Sequence, residues 1–168
     1  MKTITRSNIY LPMAAMILTA ALAVPAGAAQ QVPFKGTIQQ GQDVDIAGGP
    51  PPITVVVAAS GTGTGTLVGQ FSFTQVITVN FANNTSAGSG QWIAANGDSI
   101  YTTVVGVRAV VDTTRGVITI TELNTITGGT GRFAGAQGSF IVVRVANLVT
   151  LAFSGSFFGT ISSPGEAH

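Results

Sequence analysis

The chain has no cysteine and only one histidine, which is the final residue, His168. Without cysteine there is no disulfide, no thiol chemistry and no thiolate metal site. A lone terminal histidine leaves no base for a serine triad and no histidine cluster for a metal. Asp43 and Asp45 lie together with no third acid nearby. The motif Gly-x-x-x-x-Gly-Lys-(Ser/Thr) is also missing, so we predict no metal, nucleotide or other cofactor.

Charge is equally scarce, with 7 Lys+Arg and 6 Asp+Glu in 168 residues. Two of the basic residues, Lys2 and Arg6, precede an apolar run, and all six acids lie later in the chain. Once those two are removed, the remaining chain has a net charge of −1. A chain with so little positive charge is not expected to bind nucleic acid or an anionic membrane surface.

The N-terminus has the pattern of a secretory signal peptide. Lys2 and Arg6 come before an apolar run over 9–24, and small residues follow it. This order of charged, apolar and small-residue segments predicts cleavage, with a signal peptide at 1–28 and one domain at 29–168. A membrane anchor is the alternative, but the run is shorter than the roughly 20 residues that a span needs. We therefore expect a secreted or periplasmic protein with no stable membrane anchor.

The rest of the chain has the composition of strands joined by turns. Valine, isoleucine, threonine and phenylalanine dominate, and no amphipathic helix of useful length is found. The clearest strand carries Phe71, Phe73, Ile77, Val79 and Phe81 in alternation with polar residues, interrupted at Gln75 and Val76. The pattern predicts strands over 33–39, 53–59, 71–81, 87–94, 99–105, 107–112, 117–126, 140–146 and 148–161.

The connections are marked by glycine, proline and asparagine. We expect a surface loop over 41–52, which ends in three prolines, and a flexible segment over 61–66, where glycine and threonine alternate. Asn96-Gly97 between two strand-like runs predicts a hairpin. About eight short strands with no helix predict an all-β domain, either an antiparallel barrel or a sandwich.

A glycine-rich segment, 128–138, contains five glycines, together with Arg132 and Phe133. We expect at least one of Gly129, Gly131, Gly135 and Gly138 to adopt a positive φ angle, because a loop with so many glycines has a shape that other residues reach only with strain.

This segment resembles the Gly-Thr-Gly-(Arg/Lys)-Phe-x-Gly-Ala-x-Gly loop of the dirigent and allene oxide cyclase-like β-barrels. Weaker similarities lie at 67–71, at the turn 95–98 and at 155–161. The resemblance implies an antiparallel β-barrel of about eight strands. It also implies an exported bacterial protein, related to plant barrels that bind or cyclise apolar small molecules and are commonly trimers.

Glu122 and Asn124 are the first candidates for a functional site. On the predicted strand 117–126 they share a face with isoleucines, and this more apolar face is expected to line the interior. A buried carboxylate costs several kcal/mol unless it is paired, or its pKa rises. The alternatives are a hydrated position near the barrel mouth and an ion pair with an arginine. Tyr101 is a further candidate for catalysis beside these two.

Two residues are candidates for contact with a ligand. Trp92 can stack on a ligand and donate one hydrogen bond, although packing in a core is the commoner role. Arg144 shares a face with Phe140 and Val142, and it can bind a ligand or pair with Glu122 across neighbouring strands. Arg108 is the other arginine that can form such a pair. Arg132 is expected to satisfy its own loop or to pair with a nearby acid.

Two hypotheses of function follow. The first is a secreted, non-catalytic barrel that binds a small apolar ligand or has a structural role. The alternative is a cofactor-free cyclase or isomerase of the allene oxide cyclase or dirigent type that acts on a hydrophobic small molecule. Self-association, as a trimer by analogy, is expected because the strands 53–59 and 140–146 are apolar on both faces.

Overall fold

The computed structural model describes residues 30–48 and 54–162. The predicted signal peptide, the segment 49–53 and the C-terminal residues 163–168, with His168, lie outside the described residues. In the described part, no helix has the length and apolarity needed to span a membrane.

The predicted barrel is confirmed. Eight antiparallel strands follow one another around a closed barrel, and the last pairs with the first. Closure leaves a β-sheet without free edges along most of its length. The strands are β1 (Gln31–Gly48), β2 (Thr54–Gly65), β3 (Gly69–Asn80), β4 (Thr85–Ala94), β5 (Ser99–Asp112), β6 (Val117–Gly129), β7 (Gly138–Asn147) and β8 (Ala152–Ser162).

The alternation in β3 places one face of this strand inside the barrel. Phe71, Phe73 and Ile77 are buried, as the sequence predicts. Gln75 does not interrupt the pattern, because it also faces inward and is buried. Phe81 was assigned wrongly: it lies in the turn after β3, and 57% of its surface is exposed.

The first two strands are longer than the sequence predicts. The expected loop at 41–52 is strand as far as Gly48, and the expected flexible segment at 61–66 is strand as far as Gly65. In this segment the glycines leave space for neighbouring aromatic rings and do not form a turn. Inside the barrel, the ring of Phe73 covers Gly61 and the ring of Phe71 covers Gly63, where a Cβ atom would collide with them.

β5 is one strand rather than the two that were predicted. Its pairing with β6 shifts register between Gly106 and Arg108, so that Val107 forms a bulge. Its pairing with β4 ends earlier, at Ala87 opposite Val105. The second half of β5, residues 106–112, therefore extends past its pairing with β4 as one arm of a hairpin with β6. The Asn96-Gly97 hairpin between β4 and β5 is confirmed, with Gly97 at φ 90°.

The predicted strand 148–161 is shorter at its start, because residues 148–151 form the turn between β7 and β8. The glycine-rich segment forms the connection between β6 and β7 with one turn of 3-10 helix, Gly131–Phe133. Positive φ angles are confirmed at Gly131 (55°), Gly135 (71°) and Gly138 (143°). The loop folds Phe133 into the core, where only 1% of it is exposed.

One half of the barrel interior is filled with aromatic rings, and we call it the aromatic half. Trp92 stacks on Phe73 with ring centroids 4.9 Å apart, and Phe34 lies 4.9 Å from Phe157. Edge contacts join Trp92 to Phe140 at 5.1 Å. Each of these rings is at most 5% exposed, so the interior at this level is solid. The aromatic half consists of Phe34, Phe71, Phe73, Trp92, Phe140 and Phe157.

Candidate functional site

A buried arginine links two buried carboxylates across the barrel interior. Arg144 on β7 donates from Nη2 to Glu122 Oε1 at 3.1 Å and from Nε to Oε2 at 3.4 Å. It also donates from Nη1 to Oδ2 of Asp43 on β1. Relative exposure is 4% for Arg144, 2% for Glu122 and 7% for Asp43. The Phe153 ring lies 4.7 Å from the guanidinium carbon and covers one of its faces.

Strand register explains why these three side chains meet. Glu122 pairs with Val142, and Ile120 pairs with Arg144, so Arg144 is a diagonal neighbour of Glu122 on the inner face. Asp43 reaches the same level from β1, where its pairing partner is Ala59 on β2. The structure therefore confirms one of the alternatives for Glu122, an ion pair with an arginine.

The charges in this group do not balance. One guanidinium faces two carboxylates, which leaves a buried excess of one negative charge. Burial raises the pKa of Asp43, and the charges of Glu122 and Asp45 add to the effect, so that Arg144 lowers it only in part. Burial alone would lower the pKa of Arg144, but Glu122 and Asp43 raise it above the ordinary value. Arg144 therefore stays charged, and Asp43 takes up a proton more readily than an ordinary aspartate does.

Asn124 forms the centre of a second, uncharged group beside the first. Its Oδ1 accepts hydrogen bonds from Gln75 Nε2 at 3.0 Å and from Thr102 Oγ1 at 3.2 Å. We call these residues and the ion-paired residues together the polar layer. Its members are Asp43, Gln75, Thr102, Glu122, Asn124 and Arg144.

Three buried polar atoms have no hydrogen-bond partner among the described residues: Asp43 Oδ1, Asn124 Nδ2 and Trp92 Nε1. Such atoms are uncommon in folded proteins, and each raises the free energy of the fold by about 1–3 kcal/mol unless water or a ligand satisfies it. Two of the three belong to the polar layer, which is thus the least satisfied part of the interior.

The polar layer is arranged for internal pairing more than for acid–base chemistry. Both oxygens of Glu122 already accept hydrogen bonds from Arg144. To act as a base toward a substrate, Glu122 has to exchange a charged partner for a reacting proton. The carbonyl of Asn124 is likewise occupied, and only its Nδ2 remains as a donor.

The other candidate residues lie elsewhere. Tyr101 was expected beside Glu122, but its side chain is 40% exposed, on the outer face of β5. Trp92 is fully buried in the aromatic half, so it packs rather than lining a chamber. Arg108 is exposed and does not pair with Glu122. Arg132 Nε lies 3.6 Å from Asp98 Oδ2 and its guanidinium covers the Phe133 ring, which is the loop role expected for it.

Sequence reasoning missed three members of the polar layer, Asp43, Gln75 and Thr102. A polar residue at position 75 looks like an interruption of the pattern, but strict alternation from Phe71 and Phe73 places Gln75 on the inner face. Gly41 and the prolines of 50–52 predict a loop around Asp43, whereas Asp43 lies within the strand β1. Alternation from Phe34 and Ile38 would place Asp43 on the outer face, because a register shift after Ile38 changes the phase of β1, so no local pattern could have found it.

A small cavity opens near the polar layer at the end of the barrel where β3 turns into β4 and β5 into β6, which we call the mouth. Its volume is about 210 Å³, and Val79, Phe81 and Ile120 contribute apolar walls. A larger depression, of about 600 Å³, lies mainly along outward-facing polar residues such as Gln42 and Ser154. Neither is an enclosed chamber centred on Glu122 and Asn124.

Comparison with protein-family models, with curated proteins and with solved structures gave no match in any of the three. The fold, the polar layer and the outer surface of this chain are therefore the features from which its function is inferred.

Proposed function

We propose that this protein is an exported, non-catalytic β-barrel with a structural role, which acts through its outer surface. The observation that carries the proposal is the filled interior. Aromatic rings occupy one half of it, and in the polar layer the two oxygens of Glu122 are held by Arg144. A barrel that binds or transforms a substrate inside needs an interior space and a free polar group. Export is supported by the N-terminal sequence pattern.

The outer wall supports contact with other copies of the chain. Four apolar residues form a row of direct cross-strand neighbours on the outside, which we call the outer row: Val105, Leu123, Ile141 and Phe158. The exposed fractions of Val105 and Phe158 are 51% and 55%. A contiguous apolar strip of this kind favours burial against a partner. The trimer that the resemblance implies stays a prediction.

Binding of a small apolar ligand is the second candidate, and the cavity at the mouth favours it. Its walls include Val79, Phe81 and Ile120. Its volume of about 210 Å³ is below the 300–1,000 Å³ that is usual for ligand sites, so it suits only a small group. The cyclase or isomerase alternative has less support, because neither Glu122 nor Asn124 faces a space of substrate size.

Native mass spectrometry of the exported protein, purified from its own host, tests the proposal. We expect subunit masses that equal the processed chain, with no small molecule retained. A stoichiometric adduct on every subunit would contradict the structural role and favour ligand binding. If the adduct is lost in a Val79→Trp variant, which fills the cavity, the mouth is the binding site.

A substitution in the outer row tests the surface part of the proposal. Phe158→Lys is expected to reduce self-association, because it places a charge in the middle of an apolar contact. Thr160→Lys is the matched control, since it adds the same charge to the same outer face of β8 outside the row. Equal sedimentation of the two variants and the wild type would argue against a contact through the outer row.

A further inference from the structure

The mouth end of β5 is a strand edge that has no ladder partner on its β4 side in the described chain, although Asn84, Thr85 and Ser86 line the mouth cavity opposite its first residues. β4 pairs with β5 only as far as Val105, whereas β6 pairs with it as far as Asp112. Within residues 30–48 and 54–162, the segment Val107–Asp112 makes no backbone hydrogen bond to any strand but β6. Alternate N–H and C=O groups of this segment therefore point away from the barrel and are free to pair.

The side chains of this edge are unusually apolar for an exposed strand. Val107, Val110 and Val111 are 60%, 43% and 54% exposed. Arg108 and Asp112 are its only charged residues. Natural proteins protect such an edge with charged residues, proline, a bulge or a covering segment. The bulge at Val107 lies at the start of this edge, and the β-branched residues beyond it can serve as a template for a further strand.

We propose that this edge pairs with the same edge of a second copy of the chain, antiparallel about a two-fold axis at Val110. In that register Val110 faces Val110 of the second copy, and Arg108 faces Asp112 of the second copy. Symmetry repeats the ion pair on the other side of the axis. The two β5–β6 hairpins then form one continuous sheet between two barrels.

The positions of the side chains agree with this register. Arg108 pairs with Thr121 and Asp112 with Val117 on β6, so both lie on the outer face of the hairpin, together with Val110. Residues directly opposite in an antiparallel pair share a face. Arg108 can therefore reach Asp112 of the second copy, while Ala109 and Val111 meet on the inner face.

Charge selects the second copy as the occupant and selects this register. A shift along the edge that places Arg108 against Arg108, or Asp112 against Asp112, brings like charges together, which is unfavourable in cross-strand pairs. A strand that fits this edge has an acid opposite Arg108 and a base opposite Asp112. The same edge of a second copy, in antiparallel orientation, places its Asp112 and its Arg108 at these positions. Asp112 Oδ1 also accepts a hydrogen bond from the backbone of Arg115 at 3.0 Å, and Asp112 Oδ2 lies 3.7 Å from Arg115 Nε in an exposed ion pair. Exposed pairs of this kind contribute little to stability, so Arg108 of the second copy can replace this contact.

Charge reversal tests the pairing. Sedimentation equilibrium is measured on the exported full-length domain at about 1–300 µM for the wild type, Arg108→Asp, Asp112→Arg and the double variant. Each single change sets like charges opposite each other twice, and we expect it to weaken the dimer about tenfold or more. The double variant restores both pairs with the charges exchanged, and its dissociation constant should return to within about threefold of the wild type.

Arg108→Asp does not touch the turn at Arg115, so it keeps the test valid if Asp112→Arg loosens that turn. Phe158→Lys separates this contact from the outer row, since the proposal expects the charge-reversal pattern to persist in its presence. A wild type that is monomeric up to about 300 µM, well above the µM affinities of weak specific pairs, overturns the proposal. So does a dimer that Arg108→Asp leaves unchanged, or one that the double variant fails to restore. The inference does not depend on the proposed structural role, because the edge would pair equally in a ligand-binding barrel.

Discussion

The aromatic half and the polar layer fill the same barrel in opposite ways. In the aromatic half, rings contact one another at centroid distances of about 5 Å and carry almost no polar atom that needs a partner. In the polar layer, three charged groups, two amides and one hydroxyl share a similar space, and two of the three buried unpartnered atoms are found there. The first region is held by burial and dispersion, and the second by specific pairing.

We infer that the aromatic half supplies most of the stability, whereas the polar layer restricts the register of the strands. Removal of a ring leaves a cavity, and its cost follows from lost contacts. A buried ion pair contributes little net stability, yet the loss of one partner is costly because the other charge remains buried. The pairing of Arg144 with acids from β1 and β6 is satisfied in only one strand register. We interpret the polar layer as a device that fixes this register.

Loss of a ring from the aromatic half should have the largest effect. Phe73→Ala is expected to lower the free energy of unfolding by about 3–5 kcal/mol, since Phe73 is 3% exposed and stacks on Trp92. Denaturant unfolding, followed by the emission of the single tryptophan, measures it. Phe158→Ala, on the outer face, is the control and should cost less than about 1 kcal/mol in a monomer. Equal losses in the two variants would mean that the aromatic half is not the main source of stability.

Loss of the central cation should come next. Arg144→Met leaves Glu122 and Asp43 buried without a partner, and we expect a loss of about 3 kcal/mol, at the lower end for a broken buried pair because Asp43 can be protonated. Arg108→Met removes an exposed arginine and is the matched control. Thermal unfolding at neutral pH compares the two. A loss no larger than that of the control would show that the charges are hydrated rather than buried.

A substitution in the glycine-rich loop, which places Phe133 in the core, should have a smaller effect on stability than the loss of a ring or of Arg144. Gly131 has φ 55°, and a Cβ atom there would collide with the side chain of Asp98. Gly131→Ala should cost about 1–3 kcal/mol, more than an ordinary glycine replacement. Gly69→Ala is the control, because Gly69 also has a positive φ but no atom within 4 Å of such a Cβ. Equal unfolding free energies would remove the steric part of the argument.

The smallest effect is a pH dependence at Asp43. Its pKa is raised in the folded state above the ordinary 3.8, so the folded protein binds this proton more tightly than the unfolded chain. The resulting stabilisation is present at pH below 3.8 and is lost as the pH rises through the folded value. Asp43→Asn removes the dependence, so the stability of the variant relative to the wild type should increase from acid to neutral pH. A constant difference would indicate an unshifted pKa.

The sequence predicts the all-β barrel and the inward positions of Glu122, Asn124 and Arg144, because strict alternation assigns a face without knowledge of the partners. It does not predict where glycine-rich segments become strands. Gly61 and Gly63 look like flexible chain until Phe73 and Phe71 are known to cover them. These contacts join residues that are distant in sequence, and no local pattern contains them.

Asp43 shows the same limit in the polar layer. Its pairing with Arg144 joins residues 101 positions apart, so the ion pair depends on closure of β1 against β8 and β7. The outward position of Tyr101 could have been deduced, since it directly follows Ile100, which pairs with Trp92 on the inner face. Alternation thus fixes faces only between bulges, such as those in β1 and β5, and only barrel closure fixes which strands meet.

Neutralisation of the whole charged group tests most directly the claim that the polar layer is a self-paired element. The triple variant Asp43→Asn, Glu122→Gln, Arg144→Met keeps similar volumes but has no buried charge. Its free energy of unfolding is compared with that of Arg144→Met alone. The account predicts that the triple variant recovers at least about half of the roughly 3 kcal/mol lost on removal of the arginine. A triple variant no more stable than Arg144→Met would contradict it, because unpaired carboxylates would then not be the cause of the loss.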